Sequence, residues 1–237
     1  MRYSSASKYI SGIKQYSNSF GHSFDIPPLA HSFAKKWRRQ DNSKNIPIIR
    51  KDKLTKEMLD DISIMHTSKL PSKLKPFHDT FIGISYFSLY SLARLGEVVV
   101  QKPTVGSLKL DKFATLIIPQ TKSDVHKLGA PLSIPRDVWD NQVAPRLYLH
   151  KLTDNDYIFT IPGKTFNKQF FISWLREALL LAGYNQTIAF AGHSFRRGGA
   201  QLLFDLGNPI EFITSKGRWI SDSWKVYIDV SRRPLTY

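Results

Sequence analysis

The segment that most constrains the fold is a strongly apolar stretch, KPFHDTFIGISYFSLYSLARLG, at residues 75–96. Pro76 suits the first turn of a helix, because an N–H group there has no partner within the helix. Gly96 is typical of the end of a helix. We therefore predict one buried helix over 75–96. Arg94 lies at its C-terminal end, where a cation facing the helix dipole needs no function of its own.

Helical spacing of apolar residues recurs on both sides of this segment. Thr55 can cap a helix that follows it, and Asn208, Pro209 and Glu211 combine a cap, a proline at the first helical position and an acid at the third. A last helix is expected from Ser221. The apolar positions of the other helices are Tyr9, Ile10, Ile13 and Tyr16; Phe33 and Trp37; Met58, Leu59 and Ile62; Phe170, Phe171, Trp174, Leu175, Ala178, Leu179 and Ala182; and Trp224, Tyr227 and Ile228.

Residues 106–136 have a different character. SLKL, FATLIIP and APLSIP are short β-prone runs, and the polar QTKSDVHKLG separates the last two. These runs predict a small antiparallel sheet whose longer hairpin displays Lys122. The fold class is therefore α+β, mostly helical, with one three-stranded sheet.

Residues 1–44 have too few apolar positions for a complete domain, and QDNSKNIPIIRKD is typical of a linker. We place the main domain at 45–237. No apolar run of about 18 residues and no N-terminal apolar leader is present, so we expect a soluble, intracellular protein that does not enter a membrane.

Charge favours a polyanionic partner. The 237 residues carry 34 Lys plus Arg against 19 Asp plus Glu, a net charge of +15. Nucleic acid is the first candidate, and a merely basic protein is the alternative. The absence of cysteine from the sequence excludes disulfides, a thiol nucleophile and cysteine metal ligands.

Three separated stretches place polar residues in apolar surroundings: ARLGE at 93–97, GHSFRRGGA at 192–200 and GRWISDSWKVYI at 217–228. Taken alone, GHSFRR is equally an anion site or a polar loop before a helix. Together, and in this order, the stretches resemble the catalytic domain of the tyrosine recombinase (phage-integrase) family, over roughly residues 45–237. The resemblance implies a catalytic set of Arg94, Lys122, His193, Arg196, Trp219 and Tyr227, with Glu97 supporting an arginine.

The resemblance implies that Tyr227 attacks a DNA phosphodiester and forms a covalent 3′-phosphotyrosine. Arginine forks can bind the phosphate bidentately and stabilise its transition state. Tyrosine has a pKa of about 10, so a base must help, and His193 is the natural helper. Lys122 would protonate the departing 5′ oxygen, and Trp219 can donate one indole N–H. No metal or other cofactor is expected.

Each assignment has a simpler alternative. His193 can be a structural histidine and Trp219 a core residue, while Tyr184 and Tyr237 compete with Tyr227. Lys109, Lys112 and Lys127 stand near Lys122, and hairpin lysines are usually only solvated. The remaining basic residues are predicted to contact the DNA backbone or to be solvated charge: Arg197, Lys216, Arg218, Lys225, Arg232 and Arg233.

The sequences GHSFRRGGA and GRW resemble those of recombinases of the eukaryotic Crypton mobile elements. This resemblance would imply DNA integration in the nucleus. The resemblance further implies double-stranded DNA as partner, with a monomer when free and a homotetramer on DNA. Residues 1–44 would be the last helices of an N-terminal DNA clamp, and SRRPLTY after the last helix implies little exchange between subunits. The rivals are a type IB topoisomerase and a recombinase-derived DNA-binding protein that does not cleave.

Overall fold

The computed structural model describes residues 3–22, 51–119 and 129–232. The chain divides into two compact units, Met1–Ile49 and Arg50–Tyr237. In the first unit the predicted N-terminal helix is confirmed as α1, Tyr3–Ser19. The predicted helix with Phe33 and Trp37, most of the linker, and the predicted boundary after residue 44 lie outside the described residues.

The second unit begins with α2, Lys56–Ile64, as predicted. The Thr55 side chain accepts the Met58 N–H at 3.3 Å, which satisfies one of the amides that the first helical turn leaves without a partner. Leu59 and Ile62 are buried on the inner side of this helix.

The apolar segment forms the central helix α3, His78–Tyr90, after a 3₁₀ turn at Lys75–Phe77 that contains Pro76. Nearly all of its side chains are buried. The prediction that the helix continues to residue 96 is wrong. Leu92 adopts a left-handed conformation at φ 54°, and a separate short helix α4, Leu95–Val99, begins after Arg94. Arg94 therefore precedes a helix instead of ending one.

The predicted sheet is confirmed. Strands β1 (Leu108–Leu110), β2 (Phe113–Ile118) and β3 (Ala130–Pro135) are antiparallel in the order β1-β2-β3. Leu116 of β2 pairs with Leu108 on one side and with Leu132 on the other. Alternate residues of β2 are buried, because successive side chains of a strand point to opposite faces.

A helical stretch that the sequence analysis did not predict follows β3. It comprises α5 (Arg136–Val138), a π turn at Trp139–Val143 and a 3₁₀ turn at Ala144–Arg146. The long amphipathic helix is confirmed as α6, Lys168–Leu181, with Asn167 capping its first turn. Further 3₁₀ turns lie at Thr67–Lys69, Val105–Ser107, Leu149–Lys151 and Thr187–Ala189.

The last part of the unit consists of α7 (Ser194–Asp205), α8 (Ile210–Gly217) and 3₁₀ turns at Asp222–Val226 and Val230–Arg232. Helix α8 starts where predicted, but the predicted cap is wrong. Asn208 donates its Nδ2 to the Leu203 carbonyl at 2.9 Å, and no side chain within the described ranges caps α8. The predicted α-helix from Ser221 is also wrong, because the chain forms only a 3₁₀ turn before Tyr227.

Among the described residues of this unit, buried apolar side chains form two clusters. The larger one surrounds α3 with residues of α2, α6 and the sheet. The smaller one lies between α7, α8 and the segment after Tyr227, and consists of Leu92, Ala200, Phe204, Ile213 and Ile228. None of the helices in the described ranges has the length and apolarity that crossing a membrane requires.

Candidate active site

Glu97 is the buried centre of the first predicted motif. Its Oε2 accepts the backbone N–H of Arg94 at 2.8 Å, and its Oε1 accepts Nη1 of the same residue at 3.1 Å. The carboxylate therefore closes the first turn of α4 and orients the Arg94 guanidinium with one side chain. Arg94 keeps 38% of its side-chain surface exposed, so its guanidinium can still reach a ligand.

A second arginine, Arg218, also binds Glu97. Its Nη2 lies 2.7 Å from Glu97 Oε2. A carboxylate that is only 4% exposed is costly to bury unless it is paired, and two arginines provide that pairing. Nε and Nη1 of Arg218 have no hydrogen-bond partner among the described residues. This contact was not predicted, because its two ends are 121 residues apart and no local pattern of the sequence joins them.

Arg196 lies on the first turn of α7 and is 1% exposed. Its Nη1 donates to the Leu92 carbonyl at 3.1 Å and its Nη2 to the Gly217 carbonyl, whereas Nε has no acceptor among the described residues. Burial, followed by the positive charges of Arg94 and Arg218, lowers its pKa to about 10, so it remains a cation at neutral pH. Cations gathered in a partly dry site favour an anionic ligand.

His193 directly precedes α7 at the edge of this cluster. Loss of hydration around the ring lowers its pKa, and the charges of Lys168, Arg196 and Arg94 add to that effect. A lowered pKa keeps the imidazole neutral at pH 7, which is the form that can accept a proton. Lys168 was not predicted to lie here. Its side chain covers Gly192, where an added Cβ would lie 3.0 Å from Lys168 Cε.

Trp219 is delivered to the site by the end of α8. The N–H groups of Arg218 and Trp219 donate to the carbonyls of Ser215 and Thr214, and Arg218 adopts the left-handed conformation at φ 56°. The indole then lies over Gly217, where an added Cβ would be 1.9 Å from the ring. Only glycine at 217 leaves room for Trp219 in this position.

The rings of Trp219 and Tyr227 meet the guanidinium of Arg196. Arg196 Cζ lies 4.5 Å from the Trp219 ring centroid and 5.9 Å from that of Tyr227. The two rings are 5.0 Å apart and inclined at 45°. Tyr227 is half-buried, so part of the residue is exposed to solvent. The structure therefore brings together Arg94, Glu97, His193, Arg196, Trp219 and Tyr227.

Two competing assignments concern residues elsewhere in the chain. The Tyr184 hydroxyl donates to Asp61, and this hydrogen bond raises the pKa of Tyr184 to about 12, which opposes its use as a nucleophile. Tyr237 lies outside the described residues. Lys122 does too, since residues 120–128 between β2 and β3 are not described. The role of Lys122 stays a prediction.

Solved structures of site-specific recombinases have a fold similar to that of this chain. The XerH site-specific recombinase bound to its difH substrate in a pre-cleavage complex has a TM-score of 0.56 and 11% identity, over 96% of this chain and 67% of that one. Its post-cleavage complex with palindromic difH gives 0.55 and 11%, over 75% and 49%. The XerA recombinase gives 0.51 and 16%, over 82% and 67%.

This is the tyrosine recombinase catalytic fold. The chain spans about half the length of the XerH chain in the post-cleavage complex. No protein-family model matches the sequence, and no curated protein is similar enough in sequence to match. At these identities the likeness concerns the fold, and the roles of individual residues stay predictions.

Within the tyrosine recombinase fold, several residues predicted to contact DNA make protein contacts. Lys216 Nζ donates to the Ser133 carbonyl of β3 at 2.7 Å, and burial lowers its pKa. Arg197 Nη1 donates to the Lys51 carbonyl, and exposed Lys225 pairs with Asp222 at 2.6 Å. Lys216 and Arg197 therefore also join parts of the fold. Arg233 and the side chain of Arg232 lie outside the described set.

Proposed function

We propose that this chain is the catalytic part of a site-specific DNA recombinase that cleaves and rejoins DNA through a covalent intermediate on Tyr227. One observation carries the proposal. The buried guanidinium of Arg196 lies against the rings of Trp219 and Tyr227, and it donates to the Leu92 carbonyl, two residues before Arg94. Residues from three separate parts of the sequence thus form one cationic site beside a tyrosine.

The chemistry follows from these groups. The Tyr227 oxygen attacks the phosphorus, the bond to the 5′ oxygen breaks, and the phosphotyrosine keeps the bond energy for rejoining. Neutral His193 accepts the tyrosine proton, and Lys122 supplies the proton to the leaving oxygen. Arg94 and Arg196 stabilise the negative charge that develops on the phosphate. Because the reverse step repeats the same chemistry, ATP is not required.

The assignment of DNA as substrate has two supports. The net charge of +15 suits a polyanion, and the XerH structures of similar fold hold their difH substrate. The 3′ polarity of the linkage, a tetramer on DNA, and a role in integrating a Crypton-like element in the nucleus are further parts of the proposal. They rest on the resemblance of ARLGE, GHSFRRGGA and GRW to the family.

The test is covalent capture. The protein is incubated with a pool of nicked duplexes of randomised sequence, from which the fragment beyond the cleaved bond diffuses away, and adducts are counted on a denaturing gel. We expect an adduct with the unaltered protein and none with Tyr227→Phe. Tyr184→Phe is the matched control, since it removes the competing hydroxyl, and it should keep the adduct.

Three results would contradict the proposal. An adduct that survives Tyr227→Phe would remove Tyr227 as the nucleophile. Salt-sensitive DNA binding with no adduct would favour a protein that binds without cleaving. Relaxation of supercoiled plasmid without strand exchange would favour a type IB topoisomerase.

A further inference from the structure

The backbone that follows Tyr227 is held by one buried side chain of α7. The Asp229 N–H donates to Gln201 Oε1 at 2.8 Å, and Gln201 Nε2 donates to the Asp229 carbonyl at 3.3 Å. Gln201 is 5% exposed. Because both polar groups of one peptide residue are bound by a single amide, the position and the orientation of this segment are fixed together.

The amide of Gln201 is itself fixed in one orientation. Its Nε2 also donates to Asp205 Oδ1 at 2.8 Å, one helical turn further along α7. Its Oε1 also accepts from the ammonium of Lys53. A carboxylate can only accept and an ammonium can only donate, so these two partners exclude the flipped amide.

The clamp acts on a short segment that carries the proposed nucleophile. On the N-terminal side of this segment, the Tyr227 N–H donates to the Trp224 carbonyl at 2.8 Å. Behind it, Ile228 is buried in the small apolar cluster, and Asp229 is bound by Gln201. Gln201 and Arg196 both lie on α7. One helix therefore carries the arginine that is proposed to bind the phosphate and also holds the backbone of the nucleophile segment.

We propose that Gln201 is a positioning residue that fixes Tyr227 relative to Arg196. The proposal rests on the proposed function of this site. Loss of the clamp frees the peptide two residues beyond Tyr227, and a displacement of about 1 Å at a reacting group lowers a rate by about a hundredfold. Gln201 acts on the nucleophile segment through the backbone of Asp229, so we expect its removal to slow the attack without weakening DNA binding.

The same amide joins a third part of the chain to the site. Residues 51–54 lie along the start of α7, where Leu54 N–H donates to the Ser194 carbonyl at 3.1 Å. Lys53 reaches Gln201 from this segment. Residues of this segment and residues after Tyr227 line the same cavity of about 710 Å³ beside α7. Gln201 thus links the beginning of the catalytic unit to the nucleophile segment.

The experiment measures single-turnover adduct formation at saturating nicked duplex together with the dissociation constant for that duplex. Gln201→Met keeps the length of the side chain and removes all four hydrogen bonds of the amide, so we expect a rate about a hundredfold lower and a dissociation constant changed by less than about threefold. Gln201→Glu keeps the acceptor for Asp229 N–H and should give an intermediate rate. Gln169→Met, on the exposed side of α6, is the control and should react like the unaltered protein.

A wild-type rate in Gln201→Met, or a fall in rate matched by an equal loss of DNA binding, would overturn the proposal. If Gln201→Met does not fold, Gln201→Glu decides alone, and a wild-type rate there overturns it. Hydrogen exchange separates this test from that of the proposed function. The Asp229 amide should exchange faster in Gln201→Met than in the unaltered protein even if no adduct forms, and equal exchange would refute the clamp.

Discussion

Helix α7 approaches α3 so closely at Gly199 that one added methyl group there should destabilise the protein strongly. A Cβ on Gly199 would lie 1.9 Å from the Leu89 carbonyl oxygen and 2.7 Å from Leu92 Cδ2. Because real Cβ atoms essentially never lie within 3.0 Å of another heavy atom, α7 must move by about 1 Å in Gly199→Ala. That movement also strains the 3.1 Å bond from Arg196 Nη1 to the Leu92 carbonyl.

The magnitude is the difference between two effects. Overpacking of a tight contact costs about 1–3 kcal/mol, and a rigid backbone carbonyl places this site at the upper end. Alanine in place of glycine within a helix returns up to about 1 kcal/mol. We expect a net loss of about 2 kcal/mol in the free energy of unfolding, or a melting temperature lower by about 4–8 °C for a protein of this size.

Thermal and urea unfolding measure this loss, and adduct formation should fall with it because Arg196 moves. Gly96→Ala is the matched control, since Gly96 is also helical and a Cβ there meets nothing within 4 Å. It should stabilise the protein by up to about 1 kcal/mol. A Gly199→Ala variant as stable as the unaltered protein would contradict the close contact between the two helices at this position.

Three further predictions concern the charged site. Glu97→Gln leaves two partly exposed arginines without their carboxylate, so we expect a loss of about 2 kcal/mol in urea unfolding, and a fully stable variant would contradict the pairing. Because the pKa of His193 is lowered, the imidazole is neutral at pH 7, and adduct formation should fall only as the pH drops below about 6.5. His193→Asn should remove that acidic limb, whose persistence would assign it to another group. Arg196→Lys cannot hold the Leu92 and Gly217 carbonyls as a planar fork, so its adduct rate should fall by about 10²–10³, and an unchanged rate would exclude Arg196 from the phosphate site.

Local patterns predicted most of the elements. The helices α2 and α6 have apolar periodicities, and the three strands are β-prone runs, that identify them without knowledge of their neighbours. The predictions failed where long-range packing overrides local preference. The segment 75–96 is helical in composition throughout, yet α3 ends at Tyr90 because the chain turns at Leu92 to bring Arg94 and Glu97 into the site. Similarly, the segment after Ser221 forms a 3₁₀ turn, since Ile228 and Asp229 are held against α7.

The sequence by itself determined the α+β class and the strand order along the chain, because the types and order of side chains carry that information. The site residues were predicted from the resemblance to tyrosine recombinases, and Lys122 of that set lies outside the described residues. Only the tertiary structure showed that Arg218 pairs with Glu97, that Lys168 lies beside His193 and that Gln201 binds the backbone of Asp229. These contacts join side chains separated by 121 residues in the first case and 28 in the last. No local pattern specifies such pairs, since a hydrogen bond or an ion pair depends on where the folded backbone places its two ends.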